Sequence, residues 1–234
     1  MNLVAAVKKA SILALALCGL PHGSEAQVTK VGNAYRFRMK FAKNRKISYN
    51  VISSAQTHGG PVMKIEMPMT TTVKDVKGTT ATLLIEIGPM ISNGKPSNMA
   101  SQVMEVTLDD RGKPIGDGAA NVQGGIPNVG QLPVKPLSVG ETFTSSNSLI
   151  AAGQKLDVKS VNKFLGIKRA GPRTVAVFST TTSGSGAMKI NGTGTAYLDM
   201  ADCSLVSMNV TNNVRVGNGS QAQLIKNTMT VTRK

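Results

Sequence analysis

The chain has 234 residues, a length typical of one domain or two small ones. Lys and Arg total 27 against 12 Asp and Glu, so the formal net charge is +15, whereas aromatic residues make up only 3%. Two Cys exclude a scaffold built on disulfides, and two His exclude a His-rich metal site. An apolar fraction of 41% supports a packed core and excludes wholesale disorder.

Residues 1–26 have the layout of a secretory signal peptide. Two lysines precede the apolar run 10–20, which is shorter than the roughly 20 residues that a membrane-spanning helix needs. Small residues then predict cleavage after Ala26 and a periplasmic or secreted protein. The alternative is a lipoprotein anchored at Cys18.

The remaining chain has the alternation of β-strands. Tyr35–Phe41 places apolar residues at odd positions and basic residues at even positions, which predicts a strand with one buried and one cationic face. Similar alternation recurs at Ile47–Val51, Met63–Met69, Leu83–Ile87, Met104–Leu108, Val175–Val177, Met188–Ile190, Met208–Val210, Val214–Val216 and Met229–Val231. We predict an all-β fold, an antiparallel sheet of about 10–12 strands in a curved half-barrel or a sandwich.

The strands fall into two stretches. A first β half, 27–110, and a second β half, 139–234, flank the Gly- and Pro-rich segment 111–138. That segment is either a connector or a lid over a ligand site. Val31–Tyr35 matches Val139–Phe143 at a displacement of 108 residues, so the two halves can be similar.

The second half also carries a resemblance. Pro133–Phe143, followed by Gly171–Val177, resembles a pattern in exported bacterial β-sheet proteins for which no activity is known. The motif consists of a segment bracketed by prolines, a turn glycine and a buried strand. The resemblance implies export and a β architecture, and it implies no activity.

Residues able to do chemistry are scarce, and we predict no enzyme, no cofactor and no metal site. After residue 26 the chain has one histidine, His58, beside a Gly-Gly-Pro turn, and no Gly-x-Ser-x-Gly elbow. Its one thiol, Cys203, follows Asp199 and Asp202, whose carboxylates disfavour a thiolate. Asp109 and Asp110 are explained by a hairpin turn.

Basic residues form two clusters, 30–46 and 155–173. We predict that Arg36, Arg38 and Lys40 lie on one basic strand face and bind an anionic headgroup. Nucleic acid is not predicted as a partner, because single-strand binders stack bases on aromatic residues that this face lacks.

Methionine is abundant, with 12 in the chain. Those that alternate within strands either fill the core in place of aromatic residues or line an apolar face that holds an acyl chain. The candidates for that apolar face are Met63, Met67, Met69, Met188 and Met208.

Two functions follow from these patterns. The first is an exported, non-enzymatic β-protein that binds an amphiphilic or lipid-like ligand, with peripheral membrane contact. The alternative is an envelope protein that docks on polyanionic surface polymers through its basic face and has a filled core. An anionic lipid or a polyanionic polymer is therefore the expected partner.

Overall fold

The computed structural model describes residues 28–97, 100–116, 131–151, 154–186, 188–216 and 223–234. The predicted signal peptide, including Cys18 and the cleavage site after Ala26, lies outside the described residues, as does much of the segment 111–138. Within the described part, no helix is long and apolar enough to cross a membrane.

The described residues form fourteen β-strands and no helix, which confirms the all-β prediction. They are β1 (Val28–Val31), β2 (Ala34–Phe37), β3 (Lys46–Thr57), β4 (Val62–Lys77), β5 (Thr80–Ile87), β6 (Ile91–Ser92), β7 (Lys95–Pro96), β8 (Gln102–Asp109), β9 (Thr142–Ala151), β10 (Gln154–Ala170), β11 (Arg173–Gly186), β12 (Met188–Asp199), β13 (Leu205–Val216) and β14 (Gln223–Arg233).

Twelve of these strands form one antiparallel sheet, and β1 and β2 form a separate hairpin. Along the sheet, β8, β5, β4 and β3 are followed by β14, β13, β12, β11, β10 and β9, while the β6–β7 hairpin pairs with another part of β4. The sheet is open, because β8 and β9 each pair with only one strand among the described residues. The predicted strand number and antiparallel class are confirmed, and an open sheet is compatible with a half-barrel or a sandwich.

One face of the sheet is the core. A single row of directly opposed side chains crosses seven neighbouring strands with little or no exposure: Met67, Val51, Val231, Met208, Ala196, Phe178 and Phe164. Small Ala196 leaves room beside Phe178, and the large rings fill the end of the row. Close packing of this row joins both β halves in one hydrophobic cluster.

The β1–β2 hairpin closes one end of this core. Phe37 is fully buried and makes edge contacts with the rings of Phe164 and Phe178, at centroid distances of 5.2 and 5.1 Å. Tyr35 lies at the margin, where its backbone exchanges two hydrogen bonds with Leu137. The hairpin therefore joins the Gly- and Pro-rich segment to the core.

The strand predicted over Tyr35–Phe41 is shorter in the structure, because β2 ends at Phe37. Past that residue the Met39 N–H donates to the Asp110 carbonyl at 2.6 Å, and the chain crosses the end of the sheet. The predicted alternation of burial continues nevertheless, since Met39 is buried and Arg36 is exposed.

Strands β9 and β10 are not detected by apolar alternation. Their inward positions include Ser145, Ser160 and Asn162, which are buried although they are polar. Two of these side chains bond across the sheet: Thr180 Oγ1 donates to Asn162 Oδ1 at 2.7 Å, and Ser160 Oγ lies 3.3 Å from Thr182 Oγ1. The pattern fails here because the buried face is polar.

The two β halves share several local features. Gly32 and Gly140, which the displacement of 108 matches, both have positive φ and both precede a strand. The Asp turns after β8 and β12 also correspond, since Asp109 and Asp199 each accept the N–H of the residue two positions later. These turns are separated by 90 residues rather than 108, so the second likeness reflects turn chemistry rather than the same register.

Candidate functional site

The β12–β13 turn buries a network of opposite charges. Asp202 is fully buried, and its Oδ2 lies 2.7 Å from Arg45 Nη2 and 3.5 Å from Arg233 Nη1. Asp199 pairs with Arg173 and lies 3.6 Å from Arg233. The turn backbone completes the set, because the Ser204 N–H donates to Asp202 Oδ1 at 2.8 Å. Arg45, Arg173 and Arg233 are thereby held in structural contacts with two carboxylates.

Cys203 lies in the middle of this turn and is completely buried. Burial raises the pKa of its thiol to about 12; the backbone N–H of Arg38 opposes the rise, and the carboxylates of Asp202 and Asp199 add to it. A thiol with that pKa stays protonated near neutral pH and is a poor nucleophile. The sequence already indicated the carboxylate effect, whereas burial depends on the tertiary structure.

His58 lies far from this thiol. It is exposed after the end of β3, whereas Arg45, which contacts the Cys203 turn, lies just before the start of that strand. The twelve residues of β3, a length of roughly 40 Å, separate Arg45 from His58. Among the described residues, no group of three His, Cys, Asp or Glu side chains could hold a metal ion.

The first basic cluster divides into paired and unpaired cations. Arg38 donates to the carbonyls of Pro133 and Val134 at 3.0 and 2.9 Å, and its Nε lies 3.5 Å from Asp110. Arg36 is exposed and Lys40 half-buried, and neither forms an ion pair with a described residue. The structure thus separates Arg38, which contacts the segment at Pro133 and Val134, from Arg36 and Lys40, which have no acidic partner among the described residues.

The second basic cluster follows the outward face of β10. Lys159 and Lys163 are exposed, and they alternate with the aliphatic side chains of Val161 and Leu165, which are 39% and 43% exposed. We call these four residues the β10 surface. Neither lysine forms an ion pair with a described residue.

Hydroxyl groups surround the β10 surface. The outward residues directly opposite Lys159, Val161 and Lys163 on β9 and β11 are all serine or threonine: Ser146, Thr144, Thr142, Ser183, Thr181 and Ser179. These neighbours carry no charge and do not screen the lysines, although exposed Asp157 lies two residues before Lys159 on the same face of β10. Lys168 and Arg169 continue the exposed basic stretch towards the end of β10.

The methionines predicted to line a ligand face lie in or against the core. Met67, Met69 and Met208 are at most 2% exposed, and Met63 and Met188 are partly buried and pack on the same cluster. None of the five methionines lines either of the two concave surfaces near β9.

Two concave surfaces lie near the β9 edge of the sheet. A groove of about 700 Å³ runs between the segment 131–137 and residues 140–144, and Arg111 and Phe143 contribute to its lining. A depression of about 450 Å³ lies on β9, β10 and β11 around Lys159. The sequence suggested a ligand site only through the lid alternative for the segment 111–138 and located neither surface, because the groove depends on contacts between distant segments and β9 carries no apolar alternation.

Comparison with known proteins gives a distant structural likeness. No known family model and no curated protein matches the chain. It is similar to a Bacteroides fragilis protein described as exported and having a YmcC-like fold, at 10% identity and a TM-score of 0.35, over 82% of this chain and 97% of that one. It is also similar to a Parabacteroides distasonis protein described as a lipoprotein, at 8% identity and a TM-score of 0.38, over 82% and 94%.

Both descriptions agree with the resemblance to exported bacterial β-sheet proteins. With TM-scores this low, no activity, ligand or partner of these two proteins can be assigned to this chain.

Proposed function

We propose that this protein is an exported, non-enzymatic β-protein that binds surfaces of anionic amphiphiles through the β10 surface. The observation that carries the proposal is the alternation of exposed Lys159 and Lys163 with exposed Val161 and Leu165 on one strand face. Cations attract anionic headgroups, and aliphatic side chains between them insert at the boundary between headgroups and acyl chains.

The β10 surface supports this function better than the interior does. Met67, Met69 and Met208 are enclosed, so an acyl chain reaches them only if the core opens. Arg36 and Lys40 remain candidates for headgroup contacts, because neither is paired with an acid in the described residues. Arg38 contributes by holding the segment at Pro133 and Val134.

The test is binding of the chain without residues 1–26 to vesicles of phosphatidylglycerol and phosphatidylethanolamine, measured by co-sedimentation. Each lysine near an anionic surface contributes about 1 kcal/mol, so the double variant K159Q/K163Q should bind roughly 30-fold more weakly. A matched control is K189Q/K226Q, which removes two exposed lysines on β12 and β14. An equal loss in both double variants would contradict a localised surface.

A second variant separates the lipid function from docking on polyanionic polymers. V161S/L165S keeps every charge and removes the aliphatic part of the β10 surface. It should weaken vesicle binding and leave the binding of a soluble polyanion such as heparin unchanged. If vesicle binding is also unchanged, the polymer function is the better one and the lipid function is wrong.

A further inference from the structure

Among the described residues, strand β9 forms a free edge of the sheet. It pairs with β10 on one side, and no described strand pairs with its other side. Its sequence, Thr142–Ala151, contains no charged residue and no proline. Charges and prolines are the usual devices that prevent an edge strand from pairing with another chain. This edge therefore keeps its capacity to pair.

The hydrogen-bond register shows which residues face that edge. The Phe164 N–H donates to the Glu141 carbonyl at 3.0 Å, and Thr142 lies opposite Lys163. Thr142 therefore belongs to a pair whose backbone groups point away from each other. Because this pattern alternates, Thr142 and Thr144 direct their N–H and C=O groups to the free edge.

The groove of about 700 Å³ lies beside this part of β9, since residues 140–144 line it. Its other wall, 131–137, is fixed at two points. Arg38 binds the carbonyls of Pro133 and Val134, and Leu137 exchanges two backbone hydrogen bonds with Tyr35. A groove with one wall fixed and one wall formed by a strand edge is preformed for an extended segment.

The charges around the groove favour an acidic occupant. Lys135 is exposed on the wall opposite β9, and Lys159 and Lys163 lie one strand in from the edge. An added strand would lie about 10 Å from β10, a distance that flexible lysine side chains can span. Glu141, the acidic residue in the described lining, already accepts the Ser138 N–H.

We propose that this groove binds an extended peptide segment with acidic side chains at alternate positions, which adds to β9 as a further strand. The backbone of Thr142 and Thr144 supplies the hydrogen bonds, and the three lysines select the acidic side chains. This inference does not depend on the proposed lipid function, because lipid contact does not use the β9 backbone.

The test uses the chain without residues 1–26 and a fluorescein-labelled ten-residue peptide of alternating Glu and Thr, with fluorescence anisotropy as the measurement. Thr144→Pro removes an N–H that points away from β10, so the β9–β10 ladder stays intact. We expect this variant to bind the peptide about tenfold more weakly or worse. A peptide of alternating Lys and Thr should not bind.

Val103→Pro in β8 is the matched control at the opposite edge. Asp109 and Thr107 bond to residues 113 and 115, so odd-numbered residues of β8 also point away from their paired strand. Val103 is 64% exposed, and its substitution should leave peptide binding unchanged. Equal losses for Thr144→Pro and Val103→Pro would overturn the proposal.

Two further measurements keep the proposal testable if Thr144→Pro fails to fold. Two further versions of the peptide carry N-methyl groups on every Glu or on every Thr; one of the two should lose binding to the unmodified protein, because its methyl groups face β9, and retained binding by both would overturn strand addition. Light scattering gives the oligomeric state: a dimer that becomes monomeric in Thr144→Pro and binds no peptide would assign the edge to a second copy of the chain instead.

The lipid function is tested separately by the same variants. Thr144→Pro should leave vesicle binding unchanged, whereas K159Q/K163Q should weaken both peptide and vesicle binding. Failure of one proposal is therefore distinguishable from failure of the other.

Discussion

Arg45 Nη2 lies 2.7 Å from Oδ2 of Asp202, although 157 residues separate these two side chains in the sequence. The pair joins the segment that follows the β1–β2 hairpin to the turn between β12 and β13. The Asp202 side chain is fully buried and that of Arg45 is only 15% exposed. The attraction between the two charges therefore offsets the free-energy cost of removing each from water.

Asp202→Asn should therefore destabilise the fold strongly. It leaves Arg45 buried without its closest counterion, a change that typically costs about 3–5 kcal/mol of unfolding free energy. Urea denaturation followed by circular dichroism measures the loss. Asp75→Asn is the control, because Asp75 is 44% exposed and its pair with Lys43 is worth about 1 kcal/mol at most. Similar losses of unfolding free energy in the two variants would contradict the prediction that burial makes the Arg45–Asp202 pair more important for stability.

Phe37→Ala should detach the hairpin from the sheet. The ring is fully buried between Phe164 and Phe178, and truncation of such a ring costs about 3–5 kcal/mol. The comparison variant is Phe143→Ala, since Phe143 is half-buried and contacts Phe178 at 6.1 Å. Thermal denaturation should show Phe37→Ala to be the less stable variant. The reverse order would contradict the packing of the β1–β2 hairpin against the core.

Arg36 and Arg38 should respond differently to the same substitution. Arg38→Gln loses charge-assisted bonds to Pro133 and Val134 and should lower stability by about 2 kcal/mol. Arg36→Gln, on an exposed side chain, should change stability by less than about 0.5 kcal/mol. If both arginines bind headgroups, both variants lose vesicle affinity; if Arg38 only holds the loop, the loss is confined to Arg36→Gln.

Alkaline pH should destabilise the fold through Cys203. The folded pKa of about 12 lies above the usual thiol pKa of 9.0, so the stabilisation is present below pH 9 and is lost as the pH rises towards 12. Each pH unit in that window costs about 1.4 kcal/mol relative to a variant without the thiol.

The measurement compares the unfolding free energy of the chain without residues 1–26 with that of Cys203→Ala at pH 8, 9, 10 and 10.5. The difference in unfolding free energy between the two proteins should shrink above about pH 9. If both free energies change with pH in the same way, the burial of the thiol is contradicted.

Most strands of this fold could be predicted because alternation is a local property. Met63–Met69 and Leu83–Ile87 alternate apolar and other residues, and both lie in strands with their apolar side chains inward. Strands β9 and β10 were not predicted because Ser145 and Asn162 are polar yet buried. The burial of Asn162 is compensated by a hydrogen bond from Thr180 on the neighbouring strand.

The candidate site was less accessible to sequence reasoning. The two basic clusters are visible along the chain, but whether a cation is free depends on acids and carbonyls brought in from elsewhere. Arg38 and Arg173 are bound by groups that are distant in sequence, whereas Lys159 and Lys163 face uncharged Ser and Thr. The large positive charge of the chain therefore does not by itself locate the β10 surface.

The sequence by itself determined the β class, the inward and outward sides of most strands and the excess of basic residues, because each follows from residue identity and spacing along one strand. The tertiary structure decided that Met67 and Met208 lie enclosed, that Cys203 is buried and that the edge of β9 borders a groove. Those properties depend on which distant strands become neighbours, since burial, ion pairing and free edges are created only when the sheet assembles.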